Sequence, residues 1–365
     1  MVKGKELIRI MEEWAPPTLA VDGDRIGLQV GSPENEVSRV LVALEVTEQV
    51  VDEAIRLGAN WIVAHHAVIF RPLSELRTDR PIGRLMQKLL ANHINVYIAH
   101  TNLDTAVGGV NDVLVERLGL QEVEVLAPHR EERLKKLVVF VPENHHESVL
   151  RAVAEAGAGW IGNYSHCTFN LEGEGTFLPQ EGANPYIGKQ GKLERVKEVR
   201  LETIFSERIQ SQVIAAMLDA HPYEEVAYDI YPLENKGDTY GLGRVGLLEQ
   251  EITLYELAER VKKAYQIPAV RFVGDPSHLV KKVAILGGAG SRYAATALAR
   301  GADVFITGDI DYHTAQDALA KGLALLDPGH QIEHFVAERV CQVLKEKLAV
   351  PIEMSEVETD PFRYL

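Results

Sequence analysis

The chain has 365 residues, 46% apolar and 25% charged, enough to bury a full core and to fill two or three soluble globular domains. Its formal net charge of -15 argues against a protein held on nucleic acid by phosphate contacts. Its two cysteines, Cys167 and Cys341, lie far apart without a CxxC, which argues against a disulfide framework and against a thiolate metal site.

The N-terminal MVKGKELIRIMEEW reads as an amphipathic helix of mixed charge. Nowhere does an apolar stretch approach the ~18 residues needed to cross a bilayer, and no signal peptide or anchor is visible, so a cytoplasmic protein with no membrane partner is expected. From 38 to 105 the order is strand, helix, strand, helix, strand, the wiring of a parallel α/β sheet: RVLVALEV, EQVVDEAIRLG, NWIVAHH, RPIGRLMQKLLANH and INVYIAH. Consecutive side chains of a strand point to opposite faces, so His65 and His66 can serve one site only if the strand stops before them. The run Trp61 to Ala64 ends there. In the same way INVYIA delivers His100, Thr101, Asn102, Leu103 and Asp104 at its carboxyl end.

Between about 129 and 237 the sequence changes character. A strand KKLVVFVP, a helix HESVLRAVAEAG, strands around CTFNLEGEGTFLP and EVRLETIFS, a helix RIQSQVIAAMLDAH and a strand VAYDIYPL give the βαββαβ order of a ferredoxin-like unit. The expected organisation is thus an N-terminal α/β half of a metal domain over 1–128, an inserted ferredoxin-like α+β domain over 129–237 and the C-terminal α/β half of the same metal domain over 238–365. Within the insertion, His145 and His146 read as a solvated helix start. HPYEEVAYD, with His221, Tyr223, Glu224 and Glu225, carries ligand-like groups but reads as a turn entering a strand. GLGRVG at 241–246 follows a polar linker rather than a strand and is discounted as a dinucleotide fingerprint.

Near 280 the parallel pattern returns: KKVAILGG, a helix from SRYAATALARG, ADVFITGD, a helix from HTAQDALAKG and LALLD. Gly301, Ala302 and Asp303 lead to Gly308 and Asp309 at the offset by which Gly58, Ala59 and Asn60 lead to His65 and His66, so the two halves look like repeats. The GGAG at 287–290 reads as a tight turn with close backbone approach, with phosphate cradling as the alternative. LALLD runs into Pro328, Gly329, His330, Gln331, Ile332 and Glu333. Strand carboxyl ends form the ligand crevice of open α/β sheets, so these distant stretches can converge.

His65, His66, Asp104, His330 and Glu333 are therefore the candidate metal ligands. His330 and Glu333 stand three apart past Gly329, a spacing that faces one way on a helix. Nitrogen and oxygen donors without thiolate leave Zn, Mn, Fe, Co or Ni open. Five ligands are too few to close two coordination spheres, and two ions roughly 3.5–4 Å apart would keep open positions, as hydrolytic two-metal sites do. His100, Asn102, Thr105, Asp309 and His313 are further polar groups for orienting ligands or moving protons, His100 and His313 being the candidate general acids.

GLQVG at 27–31, VAHHAVIF at 63–70, AHTNLD at 99–104, ADVFITGDIDYHTAQDA at 302–318, DPGH at 327–330 and the terminal TDPFRYL together resemble the GTP cyclohydrolase 1 type 2 homologue family, also called Nif-three-like dinuclear metal-centre proteins. The middle segment resembles the version of that family with an inserted PII-like or copper-tolerance-A-like domain. The resemblance implies a toroidal homohexamer, a trimer of dimers, with two divalent ions per subunit (Zn, Fe or Mn) in sites facing an internal cavity. It implies ligands at His65, His66, Asp104 and His330. Many members carry the last ligand as Glu four residues after the His, where this chain has His334; Glu333 is preferred because a carboxylate bridges two cations better than an imidazole, and His334 replaces it if the loop register differs.

The leading expectation is a metal-dependent hydrolase acting on a nucleotide or related small molecule, with the GGAG turn and Arg292 as phosphate contacts. A non-catalytic hexameric metal-binding or regulatory scaffold, whose inserted domain senses a ligand, is the alternative. A nucleic-acid-binding ring is disfavoured by the charge balance.

Overall fold

Val40–Ala43, Trp61–Ala64 and Asn95–Ile98 are buried at every position, the pattern of strands covered on both faces. They form the centre of a sheet in a computed structural model that describes residues 1–364. In chain order the elements are α1 (Gly4–Trp14), β1 (Gly27–Val30), β2 (Val40–Ala43), α2 (Glu48–Leu57), β3 (Trp61–Ala64), α3 (Pro81–Ala91), β4 (Asn95–Ile98), α4 (Thr101–Thr105), α5 (Val110–Leu118) and β5 (Gln121–Pro142). There follow α6 (His146–Glu155), β6 (Thr168–Phe177), β7 (Glu194–Ser206), α7 (Gln210–Ala220) and β8 (Tyr228–Thr253). The chain closes with α8 (Leu254–Ala264), β9 (Arg271–Val273), β10 (Leu279–Ala289), α9 (Ala294–Ala299), β11 (Val304–Gly308), α10 (Tyr312–Ala320), β12 (Ala324–Asp327), α11 (Val336–Lys347) and β13 (Ile352–Met354). Two compact units result, one from Met1–Arg130 with the chain from Tyr240 onward, the other from Glu131–Thr239.

The first unit contains two α/β sheets. One has the order β1-β4-β3-β2-β13, with β1 as its antiparallel edge and all other pairs parallel. The other takes the order β8-β10-β11-β12-β9 within this unit; β10, β11 and β12 are parallel, and β8 and β9 flank them antiparallel. One core joins Val40, Trp61 and Tyr97 of the first sheet to Val283, Val304 and Leu326 of the second, through α1, α5, α8 and α11. Helices α2 and α3 cover the outer face of the first sheet, and α9 and α10 that of the second. The two halves expected at 1–128 and 238–365 thus share a core, and the last strand, β13, pairs with β2 of the first.

The internal repeat has a structural counterpart. Gly58 and Gly301 end their helices with φ of 69° and 72°, a conformation that costs glycine nothing. Asn60 Oδ1 then accepts the backbone N–H groups of Ser38 and Arg39, and Asp303 Oδ2 accepts those of Lys281 and Lys282. The Asn60 bonds fix the residues just before β2, and the Asp303 bonds fix the early part of β10.

In the second unit the order β5-α6-β6-β7-α7-β8 folds into an antiparallel sheet of strand order β6-β7-β5-β8. Its own core includes Leu137, Val139, Val149, Val153, Leu201, Phe205, Val213 and Met217. No helix among the described residues is long and apolar enough to cross a membrane.

Candidate metal centre

Each side chain of the centre is delivered by the end of a strand. His65 and His66 follow β3, whose direction is continued by backbone bonds from His65 N–H to Ala43 O and from His66 N–H to Leu44 O. His100 follows β4, and Asp104 lies one turn later in α4. Asp309 follows β11 with φ of 56°, a left-handed backbone that Asp tolerates better than most residues. His330 and Glu333 occupy the 3-10 segment His330–Phe335 after β12.

Four imidazoles are oriented in one way. Nδ1 of His65 meets the Ala99 carbonyl at 2.8 Å, that of His66 meets Glu45 Oε1 at 2.6 Å, that of His100 meets Asp24 Oδ1 at 2.8 Å, and that of His330 meets Asp309 Oδ2 at 2.7 Å. An oxygen at Nδ1 selects the tautomer with its proton there and leaves the Nε2 lone pair for a cation. The Nε2 atoms of three of them surround Glu333, whose Oε2 is 3.1 Å from His66, 3.2 Å from His330 and 3.8 Å from His65. His65 Nε2 also lies 3.5 Å from Asp104 Oδ1. Two ligands at about 2.0–2.1 Å on a tetrahedral ion stand about 3.3–3.4 Å apart, so this spacing suits atoms arranged about a cation.

Electrostatics supports the same reading. His65 is buried, which pushes its pKa down to about 3 and keeps it neutral. Burial raises Asp104 to about 8, and the neighbouring charge of Glu333 adds to the shift. Burial also works against an ionised Glu333, yet hydrogen bonds from His330 and His66 hold it well below the usual carboxylate range. Hydrogen bonding to Glu333 raises His330 to about 9. For His66, burial opposes protonation but the bonds to Glu333 and Glu45 prevail and raise it to about 10. His65 Nε2 and Asp104 Oδ1 remain buried with no hydrogen-bond partner. Each such orphan costs about 1–3 kcal/mol, and a divalent cation satisfies a lone pair and a carboxylate together.

Three groups of donors converge closely enough to hold an ion: His65 with His66 and His100, His66 with His330 and Glu333, and His65 with Asp104 and Glu333. All five candidate ligands read from the sequence fall in this cluster. His334 does not; its Nδ1 faces the Gln331 carbonyl at 2.7 Å. His313 is also elsewhere, exposed in the first turn of α10 with its ring 5.7 Å from that of Tyr312. The general-acid expectation therefore rests on His100 alone, because His313 does not line the cavity beside the centre. Asn102 is buried and structural, bonding the His100 N–H and the Ala15 carbonyl. Asp24 and Glu45 escaped sequence reasoning, since a lone acid in a loop, far from its imidazole in sequence, carries no spacing signal.

The glycine turn is explained by close approach. A Cβ on Gly288, whose φ is 64°, would sit 2.5 Å from Glu333 Oε1 and 3.2 Å from His330 Nε2. The amides of Gly287 and Gly290 are already bonded to Asn111 Oδ1 and Thr307 Oγ1, which removes them as phosphate donors. GLGRVG likewise belongs to β8, where Arg244 is buried against Asp112. A cavity of about 1050 Å³ opens beside the centre, lined by His66, His100, Asp104, Arg292, His330 and Glu333 among others.

The two-sheet α/β unit thus gathers imidazoles and carboxylates at its strand ends into groups that could hold a metal ion. The chain belongs to the Duf34/NIF3 (NGG1p interacting factor 3) family, whose profile matches residues 2–361. It is 51% identical over 370 residues to a Halalkalibacterium halodurans protein named GTP cyclohydrolase 1 type 2 homolog, covering 100% of both chains. A Bacillus subtilis protein of the same name is 50% identical over 369 residues, covering 100% of this chain and 99% of that one. Among solved structures, a Bacillus cereus protein related to NIF3 superposes with a TM-score of 0.93 at 51% identity, covering 100% of this chain and 99% of the other.

Proposed function

We propose that this protein is a hydrolase of nucleotides or related small molecules that works with two divalent cations, Zn, Fe or Mn. The observation that carries the reading is the common orientation of three imidazoles, His65, His66 and His330, each tied at Nδ1 by an oxygen, around the buried Glu333 carboxylate. His65, Asp104 and Glu333 would hold one ion, and His66, His330 and Glu333 the other, with Glu333 shared. Such a pair supplies Lewis acidity and lowers the pKa of water from 15.7 to about 7.

The remaining work falls to the chain. Asp24 fixes the His100 ring through Nδ1–H; burial disfavours its protonation, but the Asp24 bond and the Asp104 charge outweigh that and raise its pKa. His100 is thus able to hold a proton at Nε2 and hand it to a leaving group, the general-acid role. Phe70 and Phe362, both exposed on the cavity wall, offer faces for a base to stack on, and Arg292 offers a guanidinium to a phosphate. The name shared by the relatives is compatible with a purine nucleotide substrate. We further propose a homohexameric assembly, a trimer of dimers, located in the cytoplasm.

The test is turnover of GTP, cyclic nucleotides and phosphodiesters by protein loaded with Mn or Zn. Hydrolysis that chelation abolishes is the expected result. Chelation that only lowers the melting temperature, with no substrate turned over, would favour the metal-binding scaffold instead.

A further inference from the structure

HPYEEV, at the end of α7, contributes nothing to the metal centre, and its side chains build a second site within the Glu131–Thr239 unit. His221 Nε2 bonds the Phe140 carbonyl at 3.0 Å while its Nδ1 accepts the Tyr223 N–H at 3.1 Å, so the histidine is consumed in shaping the turn. Tyr223 is thereby set between two other rings: its centroid lies 5.9 Å from Phe177 and 6.4 Å from Tyr186. Tyr186 comes from the 178–193 loop, which is closed on itself by Gly191 N–H to Pro179 O and attached to the turn by Asn184 N–H to Glu224 Oε1 at 2.8 Å. The half-open cavity they line measures about 700 Å³, within the range of small-molecule sites.

Its lining carries one sign of charge in excess. Glu198, Glu224 and Glu225 line it against a single guanidinium, Arg200, while Glu172 and Glu174, also on its wall, belong by register to the other face of β6, where Glu174 pairs with Arg195 at 2.6 Å. Arg200 is itself paired with Glu202 at 2.9 Å; its buried Nε lacks a partner and offers one hydrogen bond to a ligand oxygen without reversing the balance. Among the described residues no Lys, Arg or His pairs with Glu198, whose Oε1 accepts the Tyr223 hydroxyl at 2.9 Å. No convergent donor group for a metal ion lies in this unit among the described residues. Aromatic faces beside carboxylates suit a cation that sheds water easily, an alkylated ammonium on an apolar body, better than a hydrated inorganic ion.

We propose that Phe177, Tyr186 and Tyr223, with Glu198 behind them, form a binding site for a small organic ammonium compound in the inserted unit. The site stands independently of the hydrolase reading, because its residues all belong to the inserted unit and none is a candidate metal ligand.

The experiment is calorimetric titration of the full-length, metal-loaded protein with choline, with 3,3-dimethylbutan-1-ol as its uncharged counterpart, and with inorganic phosphate. Choline should bind at least about tenfold more tightly than the alcohol. Tyr186→Ala, on an exposed loop, and Glu198→Gln should each weaken choline about five- to tenfold while metal content and melting temperature stay unchanged. The proposal is overturned if choline gives no saturation by ~10 mM, if the alcohol or phosphate binds as well as choline, or if both substitutions leave choline affinity intact.

Discussion

His66 and His330 share the Glu333 carboxylate, and that sharing makes a pH prediction with a definite sign. In metal-stripped protein both imidazoles have folded pKa values above the unfolded value, about 10 and about 9. The folded state then binds more protons than the unfolded one between about pH 6.5 and 9, so this contribution is complete below pH 6.5 and is lost as pH rises. A bound cation takes the place of those protons and requires deprotonated ligands. The gap in melting temperature between loaded and stripped protein should therefore widen from pH 6.5 to 9; a gap independent of pH would show that these imidazoles do not hold the metal. Glu45→Gln should leave the fold intact and weaken metal retention about 10- to 100-fold, as loss of a ligand-orienting partner does, measured by competition with a chelator.

At the level of elements, strand ends position the centre. Gly288→Ala places a Cβ against Glu333 in a backbone with φ of 64°, and should destabilise the protein by about 1–3 kcal/mol while lowering bound metal. Asn60→Ala and Asp303→Ala each remove an acceptor from two backbone N–H groups. Each should cost about 1–2 kcal/mol in a denaturant melt, and equal losses would support the repeat. Much of this level was legible in the sequence. Runs such as WIVA and VYI are apolar at each position because both faces of the sheet are covered, and the polar clusters after them mark where the strands stop. Other features were not legible. Asp24 and Glu45 reach imidazoles 76 and 21 residues away in sequence, and only the folded chain brings them there. His313 looked equivalent to His100 because composition cannot tell an exposed helix start from a cavity wall.

The whole molecule divides its labour between units that each have a core. The halves at 1–128 and 238–365, expected to form one metal domain, lie in one unit, and what local pattern could not reveal is how they join: β13 pairs with β2 and four helices are shared between the sheets. Chelation should accelerate hydrogen exchange around His65, His100 and His330 and leave Leu137, Val139 and Leu201 of the other unit unchanged. The central claim is that distant segments jointly hold two cations. Elemental analysis of the wild type beside Asp104→Ala and His66→Ala tests it most directly: two metal equivalents per chain falling to one or none in each variant is predicted, and an unchanged stoichiometry would contradict it.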